Sequence, residues 1–450
     1  MKEKLAIEYL SVETVIPYAR NARTHSREQI KQIAKSIHAF GFINPIIIDA
    51  DGMIVAGHAR ALAAKEMGLS LVPAIRVDYL SEAEKRAYIL ADNKLAENAG
   101  WDQNLLKIEL DYLSQIDINF DVDLTGFSVG EIDLILSAVH EEAEEDILLP
   151  IPASEDTVTS RGDLWQLGPH RLICGDCRGT HLINQLMGTD VARMMITDPP
   201  YNVAINGHVC GLGQNKHADF AMACGEMSED EFTVFLTACL SQLARVCSSG
   251  SLHYIFMDWR HMSELQKAGL EVYNDLINLC VWAKTNGGMG SLYRSQHELV
   301  FVFKKGTDPH LNNVELGKHG RYRTNIWSYP GVNAFSKNRA EELAFHPTVK
   351  PIQMIADAIM DVTQRGDIVL DGFLGSGTTL LAAEQTGRIC FGIEYEPRYV
   401  DLAIRRWMEA TGKAAVLVAS GQTFAQLSAL KRAYTQPLGK IDPTYSGVNP

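Results

Sequence analysis

Beyond residue 160 the chain alternates short apolar runs with helical patterns, and this alternation constrains its fold more than any other feature. Six runs have the length and composition of buried strands: RLICGD, VARMMITD, SLHYIFMD, HELVFVF, DIVLD and RICFGIE. Between them, helical spacing places apolar residues on one face, as for Phe232, Phe235, Leu236, Cys239 and Leu243 after a cap at Ser228 and Glu231. Because parallel strands need long crossover connections, usually helices, the alternation predicts an α/β fold with a mostly parallel sheet.

A linker separates this part from a smaller N-terminal part. The acidic run EEAEED at 141–146 is followed by LLPIPASEDTVTS, which combines prolines with small polar residues, so we place the main domain boundary near 147–160. Before the linker, NPIIIDA and MIVA flank a DG turn and are typical of two strands. Two helices there have capping-box sequences, Ser26 with Gln29 and Ser81 with Glu84. We therefore expect a small, separate α+β domain.

The charge is distributed unevenly along the chain. Residues 1–150 contain 14 basic and 25 acidic side chains, a net −11, and the other 300 residues carry only −3 of the total of −14. Residues 304–339 reverse this trend with seven bases and two acids. Such a local excess is typical of a polyanion-binding surface, and a solvated loop would also show it.

Composition excludes several classes of protein. No apolar run approaches 18 residues and no basic, then apolar, segment opens the chain, which argues against a membrane span or a secretory signal. Eight cysteines spread over 450 residues do not form a disulfide framework. We therefore expect a cytoplasmic protein without membrane association.

A glycine-rich loop predicts a cofactor site. DGFLGSGTTLLAA (371–383) follows a predicted strand and opens a predicted helix, where Gly375 and Gly377 let the backbone approach a ligand. Glu394 ends the next predicted strand, 23 residues after Asp371, at the position of a carboxylate that binds a ribose diol. Taken alone, the loop would also fit nicotinamide or flavin binding, or a packing turn. Its spacing departs from G-x-G-x-x-G.

TDPPYN (197–202) supplies the chemistry. The exocyclic amino group of adenine or cytosine is a poor nucleophile because its lone pair is delocalised into the ring. Asp198 and the carbonyl of Pro199, held by the proline-fixed backbone, can both accept hydrogen bonds from that amino group, and Tyr201 offers a flat stacking face. Two such acceptors direct the lone pair outward and stabilise the positive charge that develops as a methyl group arrives. An ordinary Asp-Pro-Pro turn is the alternative for this motif alone.

DPPY together with D-x-F-x-G-S-G-T-T resembles the amino-specific DNA methyltransferases that use S-adenosylmethionine. The catalytic motif precedes the cofactor loop, as in the permuted beta group of that family. Further stretches fit in the same order: GDC at 175–177, WAKTNGGMGSLYRSQHELVFVFKKG at 282–306 and HPTVKP at 346–351. The resemblance covers roughly residues 160–412 and implies a Rossmann-like S-adenosylmethionine-dependent methyltransferase sheet. One departure is Gly372, where the family usually has proline.

The resemblance also implies the site residues and the reaction. The implied catalytic set is Asp198, Pro199, Pro200 and Tyr201. The implied cofactor-binding set is Asp176, His346, Thr348, Lys350, Asp371, Phe373, Gly375, Ser376, Gly377, Thr378 and Glu394. The implied reaction is direct methyl transfer to N6 of an adenine flipped out of the duplex, with no metal and no covalent enzyme intermediate. Cytosine N4 stays open as the target.

Residues 306–345 lie where this group keeps its target-recognition region. Arginine can bind guanine edges or phosphates, and asparagine suits adenine. The candidate DNA-binding residues are Lys304, Lys305, Arg321, Arg323, Asn325, Lys337 and Arg339. Residues 202–217, directly after the catalytic motif, fit either a flap over the target base or a surface loop.

Residues 10–102 resemble the ParB-like N-terminal domain, which is related in fold to sulfiredoxin. The resemblance rests on NARTHSREQIKQIAKSIHAFGFINPIIID, IVAGHARALAAKEMG and ADNKLAENAGWD. In that superfamily the segment that corresponds to Gly57, His58 and Arg60 can bind phosphates. Nucleotide-binding members often have G-E-R-R there, whereas this chain has GHAR. An accessory role in DNA contact or specificity is therefore expected, and a structural or protein-binding role is the alternative.

These inferences give a domain plan and a set of partners. The plan is a ParB-like domain (1–102), a helical segment and acidic linker (103–160), a catalytic half (161–305), a candidate target-recognition region (306–345), a cofactor-binding half (346–412) and a C-terminal extension (413–450). The expected partner is double-stranded DNA, and the family makes a homodimer and a restriction-enzyme partner reasonable.

The sequence disfavours three alternative functions or sites. Zinc would need two ligands beyond Cys174 and Cys177 at matching spacing, and the sequence offers none, so no metal site is expected. Methyltransferases that act on protein glutamine carry Asn-Pro-Pro-Tyr after the cofactor loop, and this chain differs in both respects. A ParB-like DNA-binding adaptor with an inactive methyltransferase domain is disfavoured by the intact Asp198, Tyr201, Gly375 and Glu394.

Overall fold

A computed structural model describes residues 5–115, 122–137, 149–153, 156–203, 225–285, 287, 292–314, 323–331 and 350–435. The chain separates into two compact units, Met1–Glu142 and Ala143–Pro450. Among the described residues, no helix has both the length and the apolar character that crossing a membrane requires.

The first unit is a small α+β domain. Its strands are β1 (Ile7–Ser11), β2 (Ile46–Ile48), β3 (Ile54–Ala56) and β4 (Leu71–Arg76), in the sheet order β1-β4-β2-β3. Its helices are α1 (Arg27–Phe40), α2 (His58–Glu66), α3 (Glu82–Glu97), α4 (Gln103–Gln115) and α5 (Val129–Ser137). The predicted strands NPIIIDA and MIVA pair antiparallel as β2 and β3, as expected for two strands joined by a DG turn.

The helix starts of this unit follow the predicted caps. Ser81 and Glu84 form both halves of a capping box at α3. At α1 the Ser26 side chain accepts from the Gln29 N–H, but Gln29 Oε1 contacts His25 Nδ1 at 3.0 Å. The first helix is therefore capped by its serine, while the side chain of Gln29 is turned towards His25.

The second unit is a large sheet with helices on both faces. Its strands are β5 (Leu164–Leu167), β6 (His170–Cys174), β7 (Ala192–Thr197), β8 (Cys247–Met257), β9 (Asp275–Ala283), β10 (His297–Lys304), β11 (Ile326–Ser328), β12 (Ile368–Asp371), β13 (Ile389–Glu394) and β14 (Ala415–Leu417). Its helices are α6 (Thr180–Met187), α7 (Glu229–Arg245), α8 (Met262–Val272), α9 (Ile352–Val362), α10 (Thr378–Thr386), α11 (Pro397–Thr411) and α12 (Phe424–Thr435).

The described strands of this unit form one sheet in the order β11-β9-β10-β8-β7-β12-β13-β6-β5-β14. The central strands from β8 to β6 pair in parallel, which confirms the α/β fold class, and antiparallel strands extend the sheet on both sides. All six predicted strands are present. The sequence patterns did not predict β5, β9, β11 or β14, of which β11 and β14 have only three residues each.

The two sheet faces bury separate apolar layers. Met195 packs in a layer with side chains of α6, α7 and α8, whereas its neighbour Met194 packs in a layer with side chains of α9. A further layer joins α10 and α11 around Trp165 and Trp407. Successive strand residues point to opposite faces, so a strand covered by helices on both sides is apolar at nearly every position.

The sheet has a switch point between β7 and β12. The chain leaves β7 and returns through α7 to β8 on one side, and it leaves β12 and returns through α10 to β13 on the other side. Where two neighbouring strands lead to connections in opposite directions, a crevice opens at their carboxyl ends. TDPPYN and DGFLGSGTT follow these two strand ends.

Candidate active site

The two predicted motifs are joined by direct hydrogen bonds. Thr197 Oγ1, at the end of β7, donates to Asp371 Oδ1 at 2.8 Å, and the Gly372 N–H donates to Thr197 Oγ1 at 3.2 Å. Asp198 is the next residue after Thr197. The strand ends therefore place the DPPY motif beside the start of the glycine-rich loop.

Asp371 holds the glycine-rich loop in place. Its Oδ1 also accepts from the Phe373 N–H at 3.0 Å, and its Oδ2 accepts from Thr379 Oγ1 at 2.7 Å. Burial raises the pKa of this carboxyl to about 6. Because these bonds lead to β7, to the loop and to α10, Asp371 sets the shape of the loop.

Glu394 closes the other side of the loop. Its Oε2 accepts from the Gly375 N–H at 2.8 Å and its Oε1 from the Glu396 N–H at 2.7 Å. Burial raises the pKa of Glu394 to about 7. A carboxylate has about four lone-pair sites, so acceptor capacity remains for a ligand hydroxyl.

Two positions near the start of α10 require glycine for different structural reasons. Gly377 has φ +89° at the N-terminal cap of α10, and a Cβ there would lie 2.8 Å from the Cβ of Ala403. A Cβ on Gly372 would lie 2.5 Å from Leu243 Cδ1, and Leu243 is fully buried on α7. Glycine at 372, where the family usually has proline, therefore accompanies close packing of α7 against the loop.

The remaining described loop residues lie at the same edge of the sheet. Arg406 Nη1 donates to the Ser376 carbonyl at 2.7 Å and to Ser376 Oγ at 3.1 Å, so the hydroxyl of Ser376 faces α11. Thr378 is buried at the first turn of α10. The ring of Phe373 lies 6.4 Å from that of Phe235.

Asp176 lies beside Glu394 at the end of β6. The Gly175 N–H donates to the Glu394 carbonyl at 2.8 Å, which joins the two strand ends. The Arg178 guanidinium donates to the Asp176 carboxylate, from Nε at 3.0 Å and from Nη2 at 2.6 Å. Although burial opposes ionisation, these contacts lower the pKa of Asp176. The residues predicted on β6, β12 and β13 thus lie together at one edge of the sheet.

Asp198 belongs to a network of charged side chains. Lys350 Nζ lies 2.6 Å from Asp198 Oδ2 and 3.0 Å from Glu298 Oε2. The Tyr201 hydroxyl lies 2.5 Å from Asp198 Oδ1 and 3.0 Å from Glu298 Oε2. Lys284 Nζ lies 2.5 Å from Glu298 Oε1. Lys350, which the resemblance places in the cofactor pocket, therefore contacts the DPPY motif.

Charges within this network shift one another's ionisation. Burial opposes the ionisation of Glu298, but Lys350 and Lys284 lower its pKa to about 2. Burial likewise favours the neutral amine of Lys350, but the two carboxylates raise its pKa to about 12. Burial, helped by the neighbouring Glu298, raises the pKa of Asp198, and Lys350 opposes this.

Sequence reasoning did not assign Glu298 and Lys284 to the site. Both lie in the stretch 282–306 that resembles the family, Glu298 on β10 and Lys284 directly after β9. One acidic residue within a strand and one basic residue after a different strand form no periodic pattern and no motif spacing. Only the antiparallel pairing of β9 with β10 brings them together.

The backbone after Asp198 is held on both sides. Pro199 is buried and Pro200 is half-buried. Asn202 has φ +52°, a left-handed conformation that asparagine tolerates better than most residues. Its amide accepts from the Gly225 N–H at 3.0 Å and donates to the Met227 carbonyl at 2.8 Å. Asn202 therefore fixes the position of the chain directly after Tyr201.

Some candidate DNA-binding residues make contacts within the protein. Arg323 pairs with Asp361 at 3.0 Å and with Asp357 at 3.2 Å, so its guanidinium holds the segment around β11 against α9. Lys304 Nζ lies 3.9 Å from Asp275, and Lys305 Nζ donates to the Cys247 carbonyl. Some predicted residues lie outside the described ones: Arg321, Lys337, Arg339, His346 and Thr348, and residues 204–217 of the candidate flap.

Asn325 is positioned by its backbone next to β9. Its carbonyl accepts from the Val281 N–H at 2.8 Å, and its amide donates to the Leu279 carbonyl at 3.3 Å. DNA contact by Asn325, like that by the lysines and Arg323, stays a prediction.

The predicted phosphate segment of the first unit opens α2. Gly57 caps the helix with φ +95°, and the Arg60 guanidinium lies over it, 2.8 Å from the place of a Cβ. His58 Nε2 accepts from the Tyr18 N–H at 3.2 Å, and burial lowers the pKa of His58. Phosphate binding here stays a prediction.

The sheet and the joined motifs define a Rossmann-like methyltransferase, and comparisons with known proteins support this class. A family model described as "DNA methylase" (N6_N4_Mtase) matches residues 192–405. The models "ParB N-terminal domain" and "ParB-methyltransferase HTH domain" match residues 1–94 and 104–161. Residues 192–405 therefore match the N6/N4 DNA methylase family, and the chain carries a ParB-like N-terminal domain. This family uses S-adenosylmethionine.

Individual relatives match parts of the chain. The ParB-like nuclease domain-containing protein YnaK of Escherichia coli K12 is 45% identical over 86 residues, which are 19% of this chain and 99% of that protein. The type II methyltransferase M2.MboI of Moraxella bovis is 32% identical over 143 residues, 30% of this chain and 51% of that enzyme. The crystal structure of an M1.HpyAVI–SAM complex is 21% identical with a TM-score of 0.37, covering 52% of this chain and 98% of that one.

The ParB-methyltransferase HTH model matches residues 104–161, which the sequence patterns predicted only as a helical segment and linker. In the structure, Leu106 and Leu110 of α4 pack against Ile132 of α5. This small apolar cluster gives the two helices a shared core.

Proposed function

We propose that this protein transfers a methyl group from S-adenosylmethionine to N6 of adenine in DNA. The observation that carries the proposal is the bond from Thr197 Oγ1 to Asp371 Oδ1 at 2.8 Å, since it fixes the amino-group acceptor Asp198 next to the cofactor loop. Methyl transfer requires donor and acceptor atoms in one geometry, and rigid strand ends supply that geometry.

The catalytic motif orients and polarises the target amino group. Asp198 and the carbonyl of Pro199 accept its two N–H bonds, which directs the nitrogen lone pair away from the ring. The carboxylate charge of Asp198 and the dipole of the Pro199 carbonyl also stabilise the positive charge that develops on the nitrogen. The Tyr201 ring offers the stacking face for the flipped base.

The residues of the glycine-rich loop fit S-adenosylmethionine. Bound there, S-adenosylmethionine supplies an electrophilic methyl group on its sulfonium. Glu394 retains acceptor capacity for ribose hydroxyls, and the left-handed Gly375, where a Cβ would meet no atom within 4 Å, leaves the loop backbone open to a ligand. Asp176, at the adjoining strand end, is the candidate for the adenine end of the cofactor.

Nucleoside analysis tests this function. Unmethylated DNA of mixed sequence is incubated with the protein and S-adenosylmethionine, digested to nucleosides and analysed by mass spectrometry. We expect N6-methyladenine above the level of a control without protein. N4-methylcytosine would keep the proposed mechanism and change the base. Absence of both products on several DNAs, with DNA binding intact, would favour the adaptor alternative.

The wider assignments are proposals of the same kind. We propose double-stranded DNA as the substrate, with the ParB-like domain as an accessory to DNA contact or specificity. The domain limits, a homodimer, a restriction-enzyme partner and a cytoplasmic location also stay predictions. Sedimentation of the protein alone would test the homodimer, and sedimentation with duplex DNA would test DNA binding.

A further inference from the structure

Four charged side chains stand in line at the catalytic motif. The order is Asp198, Lys350, Glu298 and Lys284, with neighbouring charged atoms 2.6, 3.0 and 2.5 Å apart. Two negative and two positive charges cancel. Lys284 is at one end of the line, and Asp198, the proposed acceptor for the target amino group, is at the other.

We propose that Glu298, anchored by Lys284, is a positioning residue that preserves the ability of Asp198 to accept the protons of the target amino group. This inference rests on the function proposed above and deepens it. Glu298 acts through Lys350 and Tyr201, which it shares with Asp198.

The reason is competition for one ammonium group. A lysine bound to Asp198 alone would place its full positive charge on the acceptor and weaken it. Glu298 takes the same ammonium at 3.0 Å and adds a negative charge to the site, so both effects keep Asp198 basic. The lowered pKa of Glu298 and the raised pKa of Asp198 agree with this division of charge.

Lys284 and Glu298 are suited to this task because they lie on rigid elements. The Lys284 N–H donates to the Gln296 carbonyl at 2.9 Å, and Gln296 Nε2 donates to the Lys284 carbonyl at 2.8 Å. The ammonium of Lys284 lies 4.6 Å from the Trp282 ring centroid, and that of Lys350 lies 5.0 Å from the Phe256 ring. The aromatic rings confine both cations.

Among the described residues, the titratable and charged groups that act on Asp198 can be separated by mutation. They are Lys350, Glu298 and Tyr201, together with Asp371 at the end of β12, which interacts with Asp198 through space. Lys284 acts on Asp198 only through Glu298. Charge changes at Glu298 and Lys284 therefore have opposite predicted effects on Asp198.

The test compares Glu298→Gln, Lys284→Met and the double variant. Single-turnover methyl transfer to unmethylated DNA is measured from pH 5.5 to 9, at a saturating concentration of S-adenosylmethionine for each pH. The acid limb is the part of the profile in which the rate falls as the pH falls. We expect the acid limb of Glu298→Gln to move to lower pH by about one unit, and its rate at the plateau to be roughly tenfold lower. The limb of Lys284→Met is expected to move to higher pH by about the same amount. The double variant should keep the limb of Glu298→Gln, because Lys284 acts on Asp198 through Glu298.

Controls separate positioning from folding. The affinity for S-adenosylmethionine should stay unchanged in all three variants, because Glu298 and Lys284 make no described contact with the glycine-rich loop. Glu264→Gln removes another buried carboxylate, one that pairs with His261 at 2.9 Å on α8, and should leave the limb in place. If Glu298→Gln does not fold, the direction of the Lys284→Met shift still decides the matter.

The outcomes are distinct. Limbs that stay at the wild-type pH in an active enzyme, or move in the same direction in both single variants, would overturn the inference and leave the proposed function standing. A wild-type protein that methylates no DNA would overturn both.

Discussion

At the residue scale, Glu394 is expected to couple the proposed cofactor site to pH. Its carboxyl group lies at the end of β13, bonded to the Gly375 N–H, and burial holds its pKa near neutrality at about 7. Ribose hydroxyls donate hydrogen bonds, so they favour the ionised carboxylate over the protonated acid. Cofactor binding and loss of the Glu394 proton should therefore be linked.

This linkage predicts a pH-dependent affinity for S-adenosylmethionine. Below pH 7 Glu394 is protonated in the free protein and must release its proton on binding, so the affinity should fall as the pH falls, by up to about tenfold per unit. Calorimetry at pH 6 and pH 8 measures this. Glu394→Gln should bind more weakly at pH 8 and lose the part of the pH dependence that Glu394 causes. Equal pH dependence in both proteins would contradict the role of Glu394.

At the scale of elements, the packing of α7 against the glycine-rich loop explains a departure from the family pattern. Leu243 fills the space in which a side chain at residue 372 would lie. Because Leu243 is fully buried, it cannot swing out into solvent. The helix and the loop are therefore fitted to each other.

Gly372→Ala tests this fit. The added methyl group forces Leu243 or the loop to shift, so we expect a loss of stability of about 1–3 kcal/mol in denaturant unfolding. Gly100→Ala is the matched control, since a Cβ there meets no atom within 4 Å. Leu243→Ala combined with Gly372→Ala should cost less than the sum of the single changes. Unchanged stability in Gly372→Ala would show that α7 yields easily.

The elements also show what the sequence could predict. Short apolar runs predicted β6, β7, β8, β10, β12 and β13, and the motifs at their ends predicted which side of the sheet carries the site. Strand β9 has mostly exposed or half-buried residues, so it lacks the continuous apolar run that marked the central strands. Glu298 and Lys284 depend on pairing between β9 and β10, which no local pattern encodes. The bonds from Lys350 to Asp198 and from Arg323 to α9 likewise depend on tertiary contacts.

At the scale of the whole molecule, chemistry and charge are separated between the two units. The described residues of the proposed catalytic and cofactor sites lie within Ala143–Pro450. Residues 1–142 contain 14 basic and 22 acidic side chains, a net −8 of the total of −14, which opposes broad contact with phosphates. The first unit is therefore suited to selective contacts, and the proposed methyl-transfer site belongs to the second.

Removal of residues 1–142 tests this separation. The fragment 143–450 should bind S-adenosylmethionine with an affinity within about twofold of the full chain, because the described residues of the proposed cofactor site all belong to this unit. Its affinity for duplex DNA, or its choice of target, should change. The measurement is calorimetry with the cofactor and a DNA-binding titration on both proteins. Loss of cofactor binding in a folded fragment would show that the first unit supports the site.

The central claim is that Asp198, fixed beside the glycine-rich loop, activates the amino group that receives the methyl group. The most direct measurement is the single-turnover rate of methyl transfer by Asp198→Ala, with the affinity for S-adenosylmethionine measured on the same preparation. We predict a rate at least about 100-fold below wild type with cofactor affinity nearly unchanged, because the lost acceptor acts on the transition state. Methyl transfer at the wild-type rate by Asp198→Ala would contradict the account.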